Sequence, residues 1–117
     1  MNSLSKTQKE IRAFISERDW KKFHDPKNLA LSVCIEAAEL LEHFQWKNKA
    51  ETEEYLKDRK NRAEVSDEIA DVAMYLLELA QDLKIDLFEA IKIKINKNKI
   101  KYPVKKVKGR AVKYNKL

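Results

Sequence analysis

Turn-forming residues are scarce in this chain of 117 residues. It contains one glycine, Gly109, and two prolines, Pro26 and Pro103. Tight turns favour these residues, because glycine tolerates positive φ and proline fixes φ near the value that many turns need. The rest of the sequence is rich in Leu, Ile, Ala, Glu and Lys, as in helical proteins. The composition therefore predicts an all-α fold, and the length predicts one domain with one core.

Apolar periodicity and capping residues predict four main helices. The predicted helices span about residues 5–20, 26–46, 62–83 and 86–102. The predicted caps are a capping box at Ser5 and Gln8, Asp25 followed by Pro26 at the first helical position, and a second capping box at Asp86 and Glu89. The polar connection at 48–61 should lie on the surface, with a short helical piece at about 52–56.

Two acidic pairs lie inside apolar helical patterns, Glu36 with Glu39 and Glu68 with Asp71. Residues three apart on a helix share a face, and the apolar neighbours should turn that face inward. Carboxylates in a core need a cation or a partner. Four of them offer the oxygen ligands that Mg²⁺ or Mn²⁺ prefers. The pattern predicts a site for a magnesium-bound phosphate substrate, whereas surface salt bridges are the commoner role for any single glutamate.

Basic residues are concentrated at the carboxyl end. Eleven of the 25 Lys and Arg residues, and none of the 19 Asp and Glu residues, lie from Lys92 onward. A basic segment beside an acidic metal site suits a polyanion that brings its own Mg²⁺. We expect a helical domain over residues 1–103 and a solvated, partly disordered basic tail over 104–117.

A single cysteine, Cys34, excludes an intramolecular disulfide and fits a reducing cytosol. We expect it to be a small buried side chain. The longest apolar stretch, 69–77, is interrupted by Asp71 and is too short for a membrane span, and no signal peptide is evident. These features predict a cytoplasmic protein that does not use a membrane.

The spacing of the two acidic pairs is more specific than either pair alone. E-x-x-E is followed about 28 residues later by E-x-x-D, with FQW between them. The other motifs are ERDWKKFH at 17–24, PKNLALSV at 26–33, FQWK at 44–47, Tyr75, and the run from Lys94 through Asn98 to Lys101-Tyr102-Pro103. Over nearly the whole chain, these motifs resemble the short MazG-like nucleotide pyrophosphohydrolases, in particular the dCTP pyrophosphatase group.

That resemblance implies an antiparallel bundle of four main helices and a homotetramer built as a dimer of dimers. It also implies Mg²⁺-dependent cleavage of a deoxynucleoside triphosphate, dCTP or a related nucleotide, to the monophosphate and pyrophosphate. Such an enzyme would serve the sanitation of the nucleotide pool.

Hydrolysis at the α-phosphorus needs an activated water and a leaving group whose charge is neutralised, and metal ions held by carboxylates can supply both. We therefore expect the acidic pairs to hold one or more Mg²⁺ ions, with Mn²⁺ as a substitute. The predicted catalytic and metal-binding residues are Glu36, Glu39, Glu68 and Asp71. Glu39 is our choice for the residue that orients or deprotonates the attacking water.

Phosphate binding falls to side chains, because the chain has no glycine-rich loop. Lys94, Asn98 and Lys101 share one helix face, and the resemblance makes them and Tyr102 contacts of the triphosphate. The alternative for the lysines is solubility alone. Tyr75, one turn after the second acidic pair, can bind a phosphate or serve as a core tyrosine.

Trp20 and Trp46 are the predicted partners of the nucleobase, because aromatic rings stack on the face that every base has. The alternative is that both rings cap the core. The resemblance favours stacking and assigns His24 and Asn28 to the edge of the base or to its support.

Two other functional classes fit parts of the sequence. A ferritin-like di-iron bundle also uses inward glutamates, but it needs Glu-x-x-His, and Leu40 and Lys21 stand three residues before His43 and His24. A non-catalytic nucleic-acid-binding helical module could use the lysine-rich end. That alternative leaves the four carboxylates unexplained, so we expect a small-molecule nucleotide rather than nucleic acid as the partner.

Overall fold

The computed structural model describes residues 3–117, and all the regular secondary structure in that range is helical. The all-α prediction is therefore confirmed. The helices are α1 (Ser3–Glu17), α2 (Pro26–Glu42), α3 (Lys49–Tyr55), α4 (Arg59–Asp82), α5 (Leu87–Lys101) and α6 (Val104–Val107), with short 3-10 turns at Lys21–Phe23 and Tyr114–Lys116.

The start of α1 differs from the prediction. Ser5 lies inside the helix, so the predicted capping box at Ser5 and Gln8 is wrong. The helix ends earlier than predicted, at Glu17, because Asp19 adopts a positive φ of 54°. The Asp19 N–H then donates to the Ser16 carbonyl and the Trp20 N–H donates to the Ile15 carbonyl, both at 3.1 Å. This pair of bonds is a Schellman motif, and it fixes where the chain leaves α1.

Helix α2 begins where predicted but ends about four residues earlier than predicted. Asp25 caps α2 by accepting a 2.8 Å hydrogen bond from the Asn28 N–H, and Pro26 occupies the first position. The helix ends at Glu42 rather than near Trp46. Trp46 has a φ of 68°, which a right-handed helix cannot contain. The turn at 43–46 therefore separates Trp46 from α2.

The connection at 48–61 is more helical than predicted. A full capping box at Asn48 and Glu51 starts α3 at Lys49, and Asp58 caps α4 by accepting from the Lys60 and Asn61 N–H groups. With these caps, α3 and α4 each begin about three residues earlier in the chain than predicted. At α5 Asp86 caps the helix, since it accepts a hydrogen bond from the Glu89 N–H at 3.0 Å. This is one of the two bonds of the predicted capping box.

The chain forms two compact units, one up to Lys84 and the other from Ile85 to Leu117. In the first unit α2 packs along α4, and α1 also contacts α4. The buried apolar side chains of these helices are Ile11, Ile15, Leu29, Val65 and Ala80. The second unit contains α5 and α6, and α5 has no buried residue. Three of the four main helices thus share one unit, and the bundle of four stays a prediction.

Two further features of the described residues concern surface and membrane. Cys34 is exposed, so the expectation of a buried thiol is wrong. None of the helices between residues 3 and 117 is both long enough and apolar enough to cross a bilayer.

Candidate active site

The packing of α2 along α4 brings three of the four predicted carboxylates together. Glu36, Glu39 and Glu68 each present one carboxylate oxygen, and these oxygens lie within 4.8 Å of one another. The first two residues lie on α2 and the third on α4. We call these three residues the acidic cluster.

The acidic cluster makes ionisation costly for its own members. The pKa of Glu36 is raised from 4.5 to about 7. Burial contributes most, followed by the hydrogen bond with Glu39 and the charges of Glu39, Asp71 and Glu68. Burial also raises the pKa of Glu68, followed by its hydrogen bond with Glu39 and the charge of that residue. Full ionisation of the cluster is therefore unfavourable without a cation.

The donor set fits a hard divalent cation. The Oε2 atoms of Glu36 and Glu68 are shielded from solvent and have no hydrogen-bond partner among the described residues. The ion pairs found within residues 3–117 join Arg18 to Glu17, Lys22 to Asp19 and Lys57 to Glu54, all outside the cluster. Carboxylate oxygens without a competing cation are the ligands that Mg²⁺ and Mn²⁺ prefer.

Asp71, the fourth predicted ligand, is not one of the residues that meet within 4.8 Å. Its charge nevertheless contributes to the raised pKa of Glu36, so it lies close enough to act electrostatically. It also lines a neighbouring cavity between α1 and α4. Asp71 thus stands between the acidic cluster and that cavity.

This cavity, which we call the aromatic cavity, has a volume of about 180 Å³. Its walls are mostly apolar, and the rings of Phe14 and Trp20 meet edge to face with their centroids 5.7 Å apart. The residues that line it are Ile11, Phe14, Ile15, Trp20, His24, Asp71, Met74, Tyr75 and Glu78. A flat ring fits such a lining, since aromatic and apolar side chains can contact both of its faces.

Several predicted substrate residues do lie at the aromatic cavity. Trp20, His24 and Tyr75 line it, and the rings of His24 and Tyr75 are 6.3 Å apart. The His24 Nδ1 atom is shielded from solvent without a hydrogen-bond partner in the described range. The sequence prediction that placed these three residues near the substrate is compatible with this arrangement.

Two predicted base contacts are placed elsewhere. Trp46 is 91% exposed and is not among the residues that line the aromatic cavity. The Asn28 side chain donates to the Phe23 carbonyl at 3.2 Å and to the Asp25 carboxylate at 3.1 Å. Asn28 therefore supports the turn that precedes α2, and within one chain Trp46 does not stack opposite Trp20.

A second cavity, of about 330 Å³, borders the acidic cluster on the side of α3. It is lined by Glu39, Glu42, His43, Lys47, Tyr55 and Glu68. The Tyr55 hydroxyl and the His43 Nδ1 atom are 2.7 Å apart, within hydrogen-bonding distance. The Lys47 ammonium donates to the His43 carbonyl at 2.8 Å and lies 4.4 Å from the centre of the Tyr55 ring.

Sequence reasoning did not identify Lys47 or Tyr55 as site residues. The signal for Tyr55 was the capping box at Asn48 and Glu51, which starts α3 and so sets the position of that ring. Lys47 follows Trp46, whose positive φ turns the chain. It is the one lysine or arginine among the described residues lining this second cavity. It therefore brings positive charge to the same cavity as Glu39 and Glu68 of the acidic cluster.

The predicted phosphate contacts belong to the second unit. Lys94, Asn98 and Lys101 lie on α5, and Tyr102 caps its end, where its N–H donates to the Asn98 carbonyl at 2.8 Å. The first three residues share one face of this helix, as the sequence spacing predicted.

Comparison with known proteins identifies a matching family and similar curated proteins. Residues 31–117 match the MazG-like family. Proteins named dCTP pyrophosphatase 1 from Rattus norvegicus and Homo sapiens are 42% and 38% identical to this chain over 104 residues. These alignments cover 89% of this chain and 61% of each relative, so the chain spans about three fifths of the length of these curated relatives.

Similarity to a solved structure extends the comparison to three dimensions. A crystal structure of a pyrophosphatase from Archaeoglobus fulgidus has a TM-score of 0.82 and 46% sequence identity, and the match covers 88% of this chain and 94% of that chain. The family match includes both acidic pairs and most of the chain. The chain therefore belongs to the MazG-like family.

Proposed function

We propose that the protein is a Mg²⁺-dependent nucleotide pyrophosphohydrolase that cleaves a deoxynucleoside triphosphate, dCTP or a close relative, to the monophosphate and pyrophosphate. The observation that supports this most directly is the acidic cluster, whose shielded oxygens lack partners in the described range and which lies next to the aromatic cavity. The curated relatives are named dCTP pyrophosphatase 1, and the Archaeoglobus fulgidus structure is named a pyrophosphatase, which supports this proposal.

We assign the binding of the cation and the activation of water to the four acidic residues. Glu36, Glu39, Glu68 and Asp71 would hold the cation, with Mn²⁺ as a substitute for Mg²⁺. When bound there, the cation supplies charge neutralisation for the phosphates and lowers the pKa of water. Glu39 would orient or deprotonate the attacking water. Glu36, whose pKa is about 7 without a cation, would hold a proton in the cation-free protein near neutral pH and release it when the cation binds.

The nucleotide would be bound from both ends. Trp20 and Phe14 offer ring surfaces for the base in the aromatic cavity. The Tyr75 hydroxyl is available for a phosphate oxygen, because this residue lines the cavity one turn from Asp71. We propose Lys94, Asn98, Lys101 and Tyr102 as contacts of the triphosphate, supported by their shared face on α5 and by the basic charge of that segment.

We also propose a homo-oligomer, a dimer of dimers, in the cytoplasm. Large apolar side chains are exposed on α2, α4 and α5, and a second copy of the chain would cover them. Trp46, 91% exposed, would then have a partner across the interface. The exposed thiol of Cys34 suits a reducing compartment.

A product assay tests the proposal. The purified protein is incubated with each canonical dNTP, and with modified dNTPs, in the presence of Mg²⁺ or of EDTA. We expect dCTP to give dCMP and pyrophosphate, with no turnover in EDTA. Release of single phosphate would contradict the assigned reaction, as would turnover that does not depend on the cation.

A further inference from the structure

Glu78 is a carboxylate in an unusual place. It lies on α4 and lines the aromatic cavity together with apolar residues such as Ile11, Phe14 and Met74. Its Oε2 atom is shielded from solvent and has no hydrogen-bond partner in the described part of the chain. A shielded carboxylate oxygen without a partner is destabilising, so this oxygen calls for a ligand that donates a hydrogen bond.

Glu78 lies about the length of a nucleoside from Asp71 along α4. Asp71, Tyr75 and Glu78 follow one another at i, i+4 and i+7, so they share one face of α4. Seven residues at 1.5 Å each separate Asp71 from Glu78 by about 10 Å along the helix. That is comparable to the length of a nucleoside. If its phosphates are bound near Asp71 and the acidic cluster, a nucleotide in this cavity would have the edge of its base near Glu78.

We propose that Glu78 recognises the base by accepting a hydrogen bond from an exocyclic amino group, and so selects cytosine over uracil and thymine. This inference rests on the proposed hydrolysis of a pyrimidine dNTP. An ionised carboxylate only accepts hydrogen bonds, and N4 of cytosine donates. Uracil and thymine present the O4 carbonyl at the same position, where two acceptors would face each other. Glu78 is thus a specificity-determining residue.

A structural role for Glu78 is the competing explanation. The residue also borders a third cavity, together with Arg12, Lys21 and Lys84, any of which could pair with it. No ion pair of Glu78 is found between residues 3 and 117. If Glu78 served only to attract these cations, its removal would affect all nucleotides equally. The two explanations therefore differ in one measurable quantity, the ratio of kcat/KM values between bases.

The experiment compares dCTP with dUTP. Their bases differ at position 4, where cytosine has an amino group and uracil a carbonyl, and at N3, which accepts a hydrogen bond in cytosine and carries a hydrogen in uracil. Glu78→Ala removes the acceptor, and Glu78→Gln keeps the shape while adding an N–H₂ donor. We expect kcat/KM for dCTP to fall about ten- to a hundredfold in Glu78→Ala, as for a hydrogen bond to a charged group. The kcat/KM for dUTP should not fall, because Glu78→Ala removes the acceptor that faces O4. Glu78→Gln should raise dUTP relative to dCTP.

Asp82→Asn is the matched control, because Asp82 is an exposed acid at the end of the same helix. It should leave the dCTP to dUTP ratio unchanged. If the ratio of kcat/KM for dCTP to kcat/KM for dUTP stays the same in Glu78→Ala and Glu78→Gln, whether or not both values fall, the inference is overturned. If one variant unfolds, which its thermal transition reports, the other still gives the ratio.

Failure of the proposed hydrolysis is distinguishable from failure of this inference. A wild-type protein that cleaves no dNTP would contradict the hydrolysis alone. In that case the equilibrium binding of dCMP and dUMP to the wild type and to Glu78→Ala tests base recognition. A preference for dCMP that disappears in the variant supports the role of Glu78, and no preference in the wild type overturns it.

Discussion

At the scale of single residues, the acidic cluster ties stability to pH. The pKa of Glu36 is raised from 4.5 to about 7, so between these values the folded protein holds a proton that the unfolded chain has released. The unfolded state binds fewer protons there, and the free energy of unfolding of the cation-free protein therefore falls as pH rises through this window. Above about pH 7 the stability associated with the protonated form is lost.

This dependence gives a prediction for Glu36→Gln. Glutamine has no proton to lose, so in EDTA the Tm of the variant should fall less than that of the wild type between pH 5.5 and 8. Mg²⁺ should raise the wild-type Tm most at the higher pH, where the carboxylate is ionised. Thermal unfolding across a pH series measures both effects. Glu64→Gln, an exposed change on α4, serves as the control, and identical pH slopes in Glu36→Gln and wild type would contradict the prediction.

A second prediction at this scale concerns turnover. Glu39→Gln and Glu68→Gln should each reduce kcat by at least about a hundredfold, because each change removes a charged ligand or the group that acts on water. The far-ultraviolet circular dichroism should stay helical. Calorimetry with Mn²⁺ separates the two roles, since loss of a ligand weakens binding, whereas loss of a general base leaves binding intact. Glu53→Gln on the exposed face of α3 is the control. Wild-type activity in either variant would refute the assignment.

The sequence predicted the acidic cluster better than its surroundings, and helix geometry explains why. Spacing of three placed Glu36 and Glu39 on one face, and the packing of α2 along α4 brought in Glu68. Residues three apart still differ by about 60° around the helix axis. Asp71 is rotated by that angle from Glu68 and lines the aromatic cavity instead. The same spacing rule applied seven residues onward would have found Glu78.

At the scale of helices, the caps determine whether the site residues are held in place. Asp25 accepts hydrogen bonds from the Asn28 N–H and from its side chain, and it starts the helix that contains two residues of the acidic cluster. Asp25→Ala should lower the free energy of unfolding by about 1 kcal/mol. Asp25→Asn keeps an acceptor at the cap and should cost much less. Urea denaturation measures both, and equal losses in the two variants would show that the cap bond is not the cause.

Helix ends were the least predictable elements, for a physical reason. Asp19, Trp46 and Lys84 adopt positive φ, which is unfavourable for residues other than glycine. Composition offers no sign of such residues, because surrounding packing and hydrogen bonds hold them there. Helix starts at Asp25 and Asp86 were predictable, since their side-chain acceptors satisfy the first N–H groups locally. The ends of α1 and α2 were not.

At the scale of the molecule, the scarcity of glycine and proline was enough to predict an all-α fold, but not which helices pack. The family resemblance implied that α5 is one member of a four-helix bundle. In the structure it belongs to the second unit, and Phe88, Ile91, Ile93 and Ile95 are all exposed on it. A helix with apolar residues around its circumference is typical of a buried element. Local periodicity cannot say what covers such a helix, because the covering surface comes from elsewhere.

Exposed apolar side chains on the first unit lead to the last prediction. Leu31 and Ile35 on α2 and Ile69 on α4 are each at least half exposed, and Ile35 is 58% exposed. Burial of each such side chain against a second copy is worth about 1.5–3 kcal/mol, whereas a glutamate at the same place would have to lose its hydration. Light scattering should therefore give a wild-type mass that is a multiple of one chain, and Ile35→Glu should lower both this mass and the Tm. Ala50→Glu adds the same charge to an exposed position on α3 and should change neither. A wild-type mass equal to one chain would contradict the oligomer, and an unchanged mass in Ile35→Glu would place the interface on another face.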